Sequence, residues 1–194
     1  MNRHGVIDIG TNSVKLLVAG AEGGSPRILR ERVAITRLGE GLEERGRFAP
    51  GAMDRTLRTV SALAAEARRL GVPRPVAIGT SAFRSSANRV EMVRRLRREA
   101  RIDVEVLTGR READLSFAAA TSDQHGDGRV AVVDVGGGST EIAWDDGVRR
   151  RRISLPLGAV RLTERHLPTD PIRSEDFQRL IARIRASLSS AVRG

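Results

Sequence analysis

The chain has 194 residues, 40% of them hydrophobic, and a formal net charge of +10 in which Lys15 is the only lysine. Arginine therefore carries the positive field, which favours encounter with a polyanion in a salt-dependent manner. The absence of cysteine excludes disulfides and thiol nucleophiles, no apolar run has transmembrane length, and the start is not signal-like. The expectation is a cytoplasmic chain without a membrane partner.

In chain order, VIDIGTNSVKLLV (6–18) reads as a strand, a tight turn and an antiparallel strand. A third strand is expected over 27–36. The apolar positions Met53, Leu57, Val60, Leu63, Ala64, Ala67 and Leu70 then recur at helical spacing behind Pro50, and Gly71 stops that helix. A buried strand (75–79), a basic helix through Val90, Val93 and Leu96, a strand (102–107) and a helix (110–120) follow. The polar stretch 121–128 reads as a linker between domains at 1–120 and 129–194. VVDVGGGSTEIAW (132–144) then repeats the grammar of the first hairpin. It is followed by a strand (151–155) and by helices near 158–166 and 174–192. Strands alternating with helices around a repeated hairpin predict a duplicated α/β protein with mixed sheets.

A Gly/Thr/Ser turn between two buried strands can aim successive N–H groups at an anion. Gly10, Thr11, Asn12 and Ser13 in the first copy, and Gly136, Gly137, Gly138, Ser139 and Thr140 in the second, are therefore candidate phosphate ligands. Two facing copies would make a cleft. Asp8 and Asp134 end the first strand of each hairpin, where they can hold a divalent cation against that anion. Lys15, alternating with Val14 and Leu16, is a candidate to face the phosphate. Thr80, Ser81, Arg84 and Asn88 sit between a buried strand and a helix, where a planar guanidinium can grip phosphate through two bonds.

These motifs carry a resemblance. DIGTNSVKLLV (8–18), TRLGEGL (36–42), GTSAFRSSANR (79–89), TGRREADL (108–115), DVGGGSTEI (134–142) and SLPLGAVRLTE (154–164) resemble, in order, the motifs of the exopolyphosphatase/guanosine pentaphosphate phosphatase (Ppx/GppA) family. The resemblance implies a two-domain actin-like (ribonuclease H-like) fold. It also implies a hydrolase that releases terminal phosphate from inorganic polyphosphate or from guanosine pentaphosphate with a divalent cation, usually Mg²⁺. The family's catalytic glutamate falls on Glu112, although its preceding acid is replaced here by Arg111. The glutamate of GGGSTE falls on Glu141, which would join Asp8 and Asp134 around the metal.

Water attack on a phosphoryl group needs positioning and charge neutralisation but no covalent nucleophile. The lack of a Ser–His–Asp pattern among His4, His125 and His166 is consistent with such a reaction. Two other readings share the hairpins: an actin-like nucleotide-binding or ATPase module, and a non-catalytic polyanion or guanosine tetraphosphate binder. Only 3% aromatic residues and no tyrosine argue against single-stranded nucleic acid. The family pattern continues past the second half as read here. That half has three strands and two helices, an incomplete second domain expected to expose Val130, Val132, Val133 and Ile142 and to favour a homodimer.

Overall fold

The computed structural model describes residues 2–22, 25–122, 129–145, 147 and 149–193. The chain divides into two compact units, Met1–Leu107 and Thr108–Gly194.

In the first unit β1 (Arg3–Ile9) and β2 (Ser13–Glu22) pair antiparallel, with Ile9 opposite Val14 and Asp8 opposite Lys15. β3 (Ser25–Ile35) adds antiparallel to β2. β4 (Val76–Gly79) and β5 (Val104–Val106) extend the sheet in parallel from β1, giving the order β3-β2-β1-β4-β5. Alternation along β1 and β2 sends Ile7, Ile9, Val14, Leu16 and Val18 to one face, where all are fully buried. The expected helix, α2 (Pro50–Arg69), covers them with Met53, Leu57, Val60, Ala64 and Ala67. Each such aliphatic side chain contributes about 1.5–3 kcal/mol by leaving water. The other face of the sheet is open at Val33, Ile35 and Val76.

Between β3 and α2 a short helix not anticipated from the sequence, α1 (Leu42–Arg45), is bounded by Gly41 and Gly46 in left-handed backbone. The turn expected after β4 holds a short helix, α3 (Ser81–Ser85), and the basic helix expected through Val90, Val93 and Leu96 is α4 (Arg89–Arg95) with a π-helical turn (Leu96–Ala100) running on from it. Ser86, in extended backbone, separates α3 from α4.

The second unit opens with α5 (Gly109–Ala120), whose N-cap Thr108 accepts a hydrogen bond from the Arg111 amide. β6 (Ala131–Val135), β7 (Thr140–Asp145) and β8 (Arg150–Leu155) form a three-stranded sheet. It is wholly antiparallel among the described residues, so the mixed arrangement expected of both sheets belongs to the first alone. Its face carries α5: Ala113 and Phe117 pack on Ala143 and Val132, the Arg150 guanidinium lies 4.3 Å from the Phe117 ring centre, and Arg152 reaches Asp114 at 3.4 Å.

Helix α5 therefore groups with residues beyond the expected linker, of which 123–128 lie outside the described residues. An apolar stripe does not say which sheet it will cover. The consequence is that Val132 is packed rather than bare, whereas Val133 and Val135, on the opposite face, are 58% and 66% exposed. α6 (Ala159–His166) and α7 (Ser174–Arg193) follow and pack on each other.

Candidate active site: two braced glycine turns

Each unit closes its first hairpin with a glycine-containing turn held by a loop from farther along the chain. In the first unit the Gly10 amide donates to the Ser13 carbonyl at 2.9 Å, closing the turn. The loop after β3 then grips it: Thr36 and Arg37 amides donate to the Asn12 carbonyl at 3.0 and 2.8 Å, and the Gly39 amide to the Thr11 carbonyl at 2.8 Å. In the second unit the Gly136 amide donates to the Ser139 carbonyl at 2.9 Å, and the loop after β8 does the gripping. The Ala159 amide donates to the Gly136 carbonyl at 2.9 Å, the Arg161 amide to the Gly137 carbonyl at 3.1 Å, and the Thr140 hydroxyl to the Leu157 carbonyl.

One residue in each brace must be glycine on steric grounds. A Cβ at Gly39 would lie 2.3 Å from Thr11 Cγ2, and one at Gly158 would lie 2.3 Å from the Gly138 backbone. This is the structural reason for glycine in TRLGEGL and SLPLGAV.

The braces also orient the turns. In a planar trans peptide the C=O and the following N–H point in opposite directions. Because the carbonyls of Thr11 and Asn12 face the bracing loop, the amides of Asn12 and Ser13 face away from it. By the same argument the amides of Gly137 and Gly138 face away from Ala159 and Arg161. Each unit thus presents a pair of consecutive outward N–H groups, the arrangement that binds anions. The side chains of Thr11, Ser139 and Thr140 are buried, and the Thr140 hydroxyl is committed to the Leu157 carbonyl, while Asn12 is exposed and Ser13 half-buried. Lys15 is exposed beside its cross-strand partner Asp8.

Next to the first turn, β1 and β4 end in parallel at Ile9 and Gly79, so Thr80–Arg84 emerges at the carboxyl edge of the sheet, where ligands of α/β folds bind. Thr80 and Ser81 are buried there. Arg84 is half-buried, with Nη1 donating to the Leu107 carbonyl at 3.0 Å. Asn88 is engaged elsewhere: Oδ1 accepts from the Phe48 amide at 2.8 Å and lies 2.7 Å from Ser86 Oγ, and Nδ2 donates to the Phe48 carbonyl at 3.2 Å. It holds the loop before α2 rather than facing the turn.

In the second unit the acids converge. Asp134 and Glu141 are direct cross-strand partners on β6 and β7, on the sheet face that carries α5. Glu141 is 2% exposed and accepts from Ser154 Oγ at 2.7 Å. Asp134 is exposed and accepts from Ser116 Oγ at 2.6 Å. Glu112 lies one turn before Ser116 on α5, so the two share a helix face. Ser116 is the residue of this cluster that sequence reasoning missed. Its only signal was the four-residue spacing from Glu112.

The donor set bears on the expected metal. Among the described residues no cluster of three or more acidic or histidine side chains forms a protein cage. A facing pair of carboxylates, one oxygen of each fixed by a serine hydroxyl, does suit a hydrated hard cation, since Mg²⁺ usually takes one or two carboxylates and completes its shell with water and phosphate oxygens. Asp8 belongs to the other unit. No helix among the described residues is long and apolar enough to cross a membrane.

The profile of the Ppx/GppA phosphatase family matches residues 17–193. Exopolyphosphatase 1 of Mycobacterium tuberculosis is 36% identical over 173 residues, covering 87% of this chain and 50% of that protein. The Aquifex aeolicus PPX-GPPA enzyme superposes with a TM-score of 0.77 at 35% identity, over 97% of this chain and 64% of that one. An exopolyphosphatase from Cytophaga hutchinsonii gives a TM-score of 0.84 at 31% identity, over 97% and 64%. The chain spans about half the length of the first curated relatives it matches. The fold is the actin-like α/β fold of these structures.

Proposed function

The chain belongs to the Ppx/GppA phosphatase family, and from that membership we propose that it contributes the phosphate-binding and water-activating groups of a phosphoanhydride hydrolase. The substrate would be inorganic polyphosphate or guanosine pentaphosphate, and the reaction would release terminal phosphate. The observation that carries this reading is the second unit, where a turn with two outward amides, a facing carboxylate pair and the helix bearing Glu112 belong to one compact body.

In this reading the outward amides of Gly137 and Gly138 bind the non-bridging oxygens of the terminal phosphoryl group, where charge accumulates in the transition state. In the first unit, the amides of Asn12 and Ser13 and the Arg84 guanidinium are the groups suited to a polyanion's oxygens. The Glu112 carboxylate accepts a hydrogen bond from the attacking water and orients it for in-line displacement. Asp134 and Glu141 would hold a divalent cation, Mg²⁺ in the first instance, which supplies charge neutralisation on the phosphate oxygens when bound. Ser116 and Ser154 keep the two carboxylates aimed.

A phosphate-release assay on polyphosphate and on guanosine pentaphosphate, in Mg²⁺ and in EDTA, tests the reading. Mg²⁺-dependent release from either substrate is expected. Release from ATP but from neither of these would instead support the nucleotide-binding module, and no release from any of the three would overturn the hydrolase.

A further inference from the structure

Arg55, on α2, is joined to the first glycine turn through two peptide groups. It lies in the second turn of that helix, between Met53 and Leu57, whose burial fixes the helix on the sheet. Its guanidinium reaches the bracing loop twice: Nε donates to the Thr36 carbonyl at 3.2 Å and Nη2 to Glu40 Oε2 at 2.7 Å. One planar fork therefore holds both ends of the segment 36–40, while Leu38 between them is fully buried. As an ion pair the contact with Glu40 contributes little, because the two side chains are 42% and 53% exposed. The contact with the carbonyl carries the consequence.

The Thr36 carbonyl and the Arg37 amide belong to one trans peptide group and point in opposite directions. Arg55 donates to the first, and the second donates to the Asn12 carbonyl at 2.8 Å. The Asn12 carbonyl in turn shares a peptide group with the Ser13 amide, which faces away from the brace. The bonds thus run in series from a guanidinium charge, through the 36–37 and 12–13 peptide groups, to an outward N–H. Each bond in such a chain strengthens the next by about 10–30%. A cation at the carbonyl end draws electron density toward itself along both peptide groups, which makes the Ser13 N–H a stronger donor to an anion. The Asn12 amide stands on a separate branch, since its peptide partner, the Thr11 carbonyl, accepts from Gly39. Arg37 itself has a φ of 49°, left-handed backbone that a residue other than glycine keeps only when its surroundings impose it. The grips on both sides of the 36–37 peptide group supply that constraint.

We propose, on the anion-binding reading of the first turn, that Arg55 is a positioning residue that aims and polarises the Ser13 amide through the Thr36–Arg37 and Asn12–Ser13 peptide groups.

Amide ¹⁵N–¹H spectra of the protein separate this proposal from the reading on which it rests. Without phosphate, Arg55→Ala should move the Ser13 amide proton upfield and that of Asn12 by less. Titrated with inorganic phosphate, the Ser13 amide of the variant should need about three to ten times the wild-type concentration, as for groups coupled in one hydrogen-bond network. Arg58→Ala removes the same charge from an exposed position one turn farther along α2 and should leave both readouts close to wild type. A Ser13 proton unmoved by Arg55→Ala, equal movement of the Asn12 and Ser13 protons, or a titration weakened as much by Arg58→Ala would each overturn the proposal. A wild-type Ser13 amide that phosphate does not move overturns the anion-binding reading, and with it the role in phosphate binding, even where the upfield shift is found.

Discussion

Replacing Asp134 by Asn should make the metal-free protein more stable and at the same time remove most of its response to Mg²⁺. Asp134 and Glu141 face each other across β6 and β7, a position in which Cβ atoms are ~5 Å apart and like charges destabilise the sheet. At that separation two carboxylates repel by about 1 kcal/mol in water and about 3 kcal/mol at an effective dielectric near 20. With Glu141 buried and Asp134 exposed, the repulsion falls between these limits. Asn keeps an oxygen that can accept from Ser116, so the substitution removes charge without stranding the hydroxyl.

A gain of that size corresponds to about 4–8 °C per kcal/mol in the melting of a unit this small. Mg²⁺ at a hundredfold its dissociation constant should stabilise the wild type by about 2.7 kcal/mol and the variant by much less. Trp144, the chain's only tryptophan, sits on β7 and reports on the second sheet alone. Thermal melts followed by its fluorescence, in EDTA and across an Mg²⁺ series, give both numbers. A variant that melts below wild type in EDTA, or that gains as much from Mg²⁺, refutes the facing-carboxylate argument.

Glu112→Gln should lower kcat for phosphate release by about 10²–10⁴ while leaving substrate affinity largely intact; full turnover would remove Glu112 from water activation. Gly39→Ala and Gly158→Ala, each driving a Cβ to 2.3 Å from the turn it braces, should cost about 1–3 kcal/mol in chemical unfolding and lower activity in step, and neutral behaviour in either would dissolve the brace in that unit. Glu66 provides a pH test. The hydrogen bond from Arg30, at 2.6 Å, holds its carboxyl below the usual glutamate range, with the Arg30 and Arg32 charges acting in the same direction. Its stabilising contribution is present above the unfolded value of about 4.3 and is lost as pH falls through the lower folded value. Wild type should therefore lose stability more steeply than Glu66→Gln on that acid side, and parallel pH profiles would contradict the assignment.

The hairpins were legible because their signals are local. Alternating β-branched residues around a four-residue turn determine the register, and the register alone places Asp134 opposite Glu141. The helix α2 was legible from its spacing and from Pro50 and Gly71 at its ends. What remained hidden depends on contacts between distant residues. Nothing in TRLGEGL shows that Gly39 will rest on Thr11, nor in SLPLGAV that Gly158 will rest on Gly138. Asn88, read as a phosphate ligand from its place after a buried strand, is bonded to Phe48, forty residues earlier. The stripe Ala113–Phe117 gave α5 an apolar face but no address, so its attachment to the second sheet, and with it the pairing of Ser116 with Asp134, emerged only in three dimensions.

The braces also set an order of assembly. Each hairpin can close on its own within microseconds, but the donors that turn its carbonyls backward arrive from residues 36–39 or 159–161, after a third strand has paired. Contacts of greater sequence separation cost more loop-closure entropy and form later. The outward amides of Asn12, Ser13, Gly137 and Gly138 consequently acquire their direction after the strands of their own hairpin have paired. A nascent chain with its hairpins formed but its bracing loops unseated would hold the strands of the mature protein while its turns had little grip on phosphate.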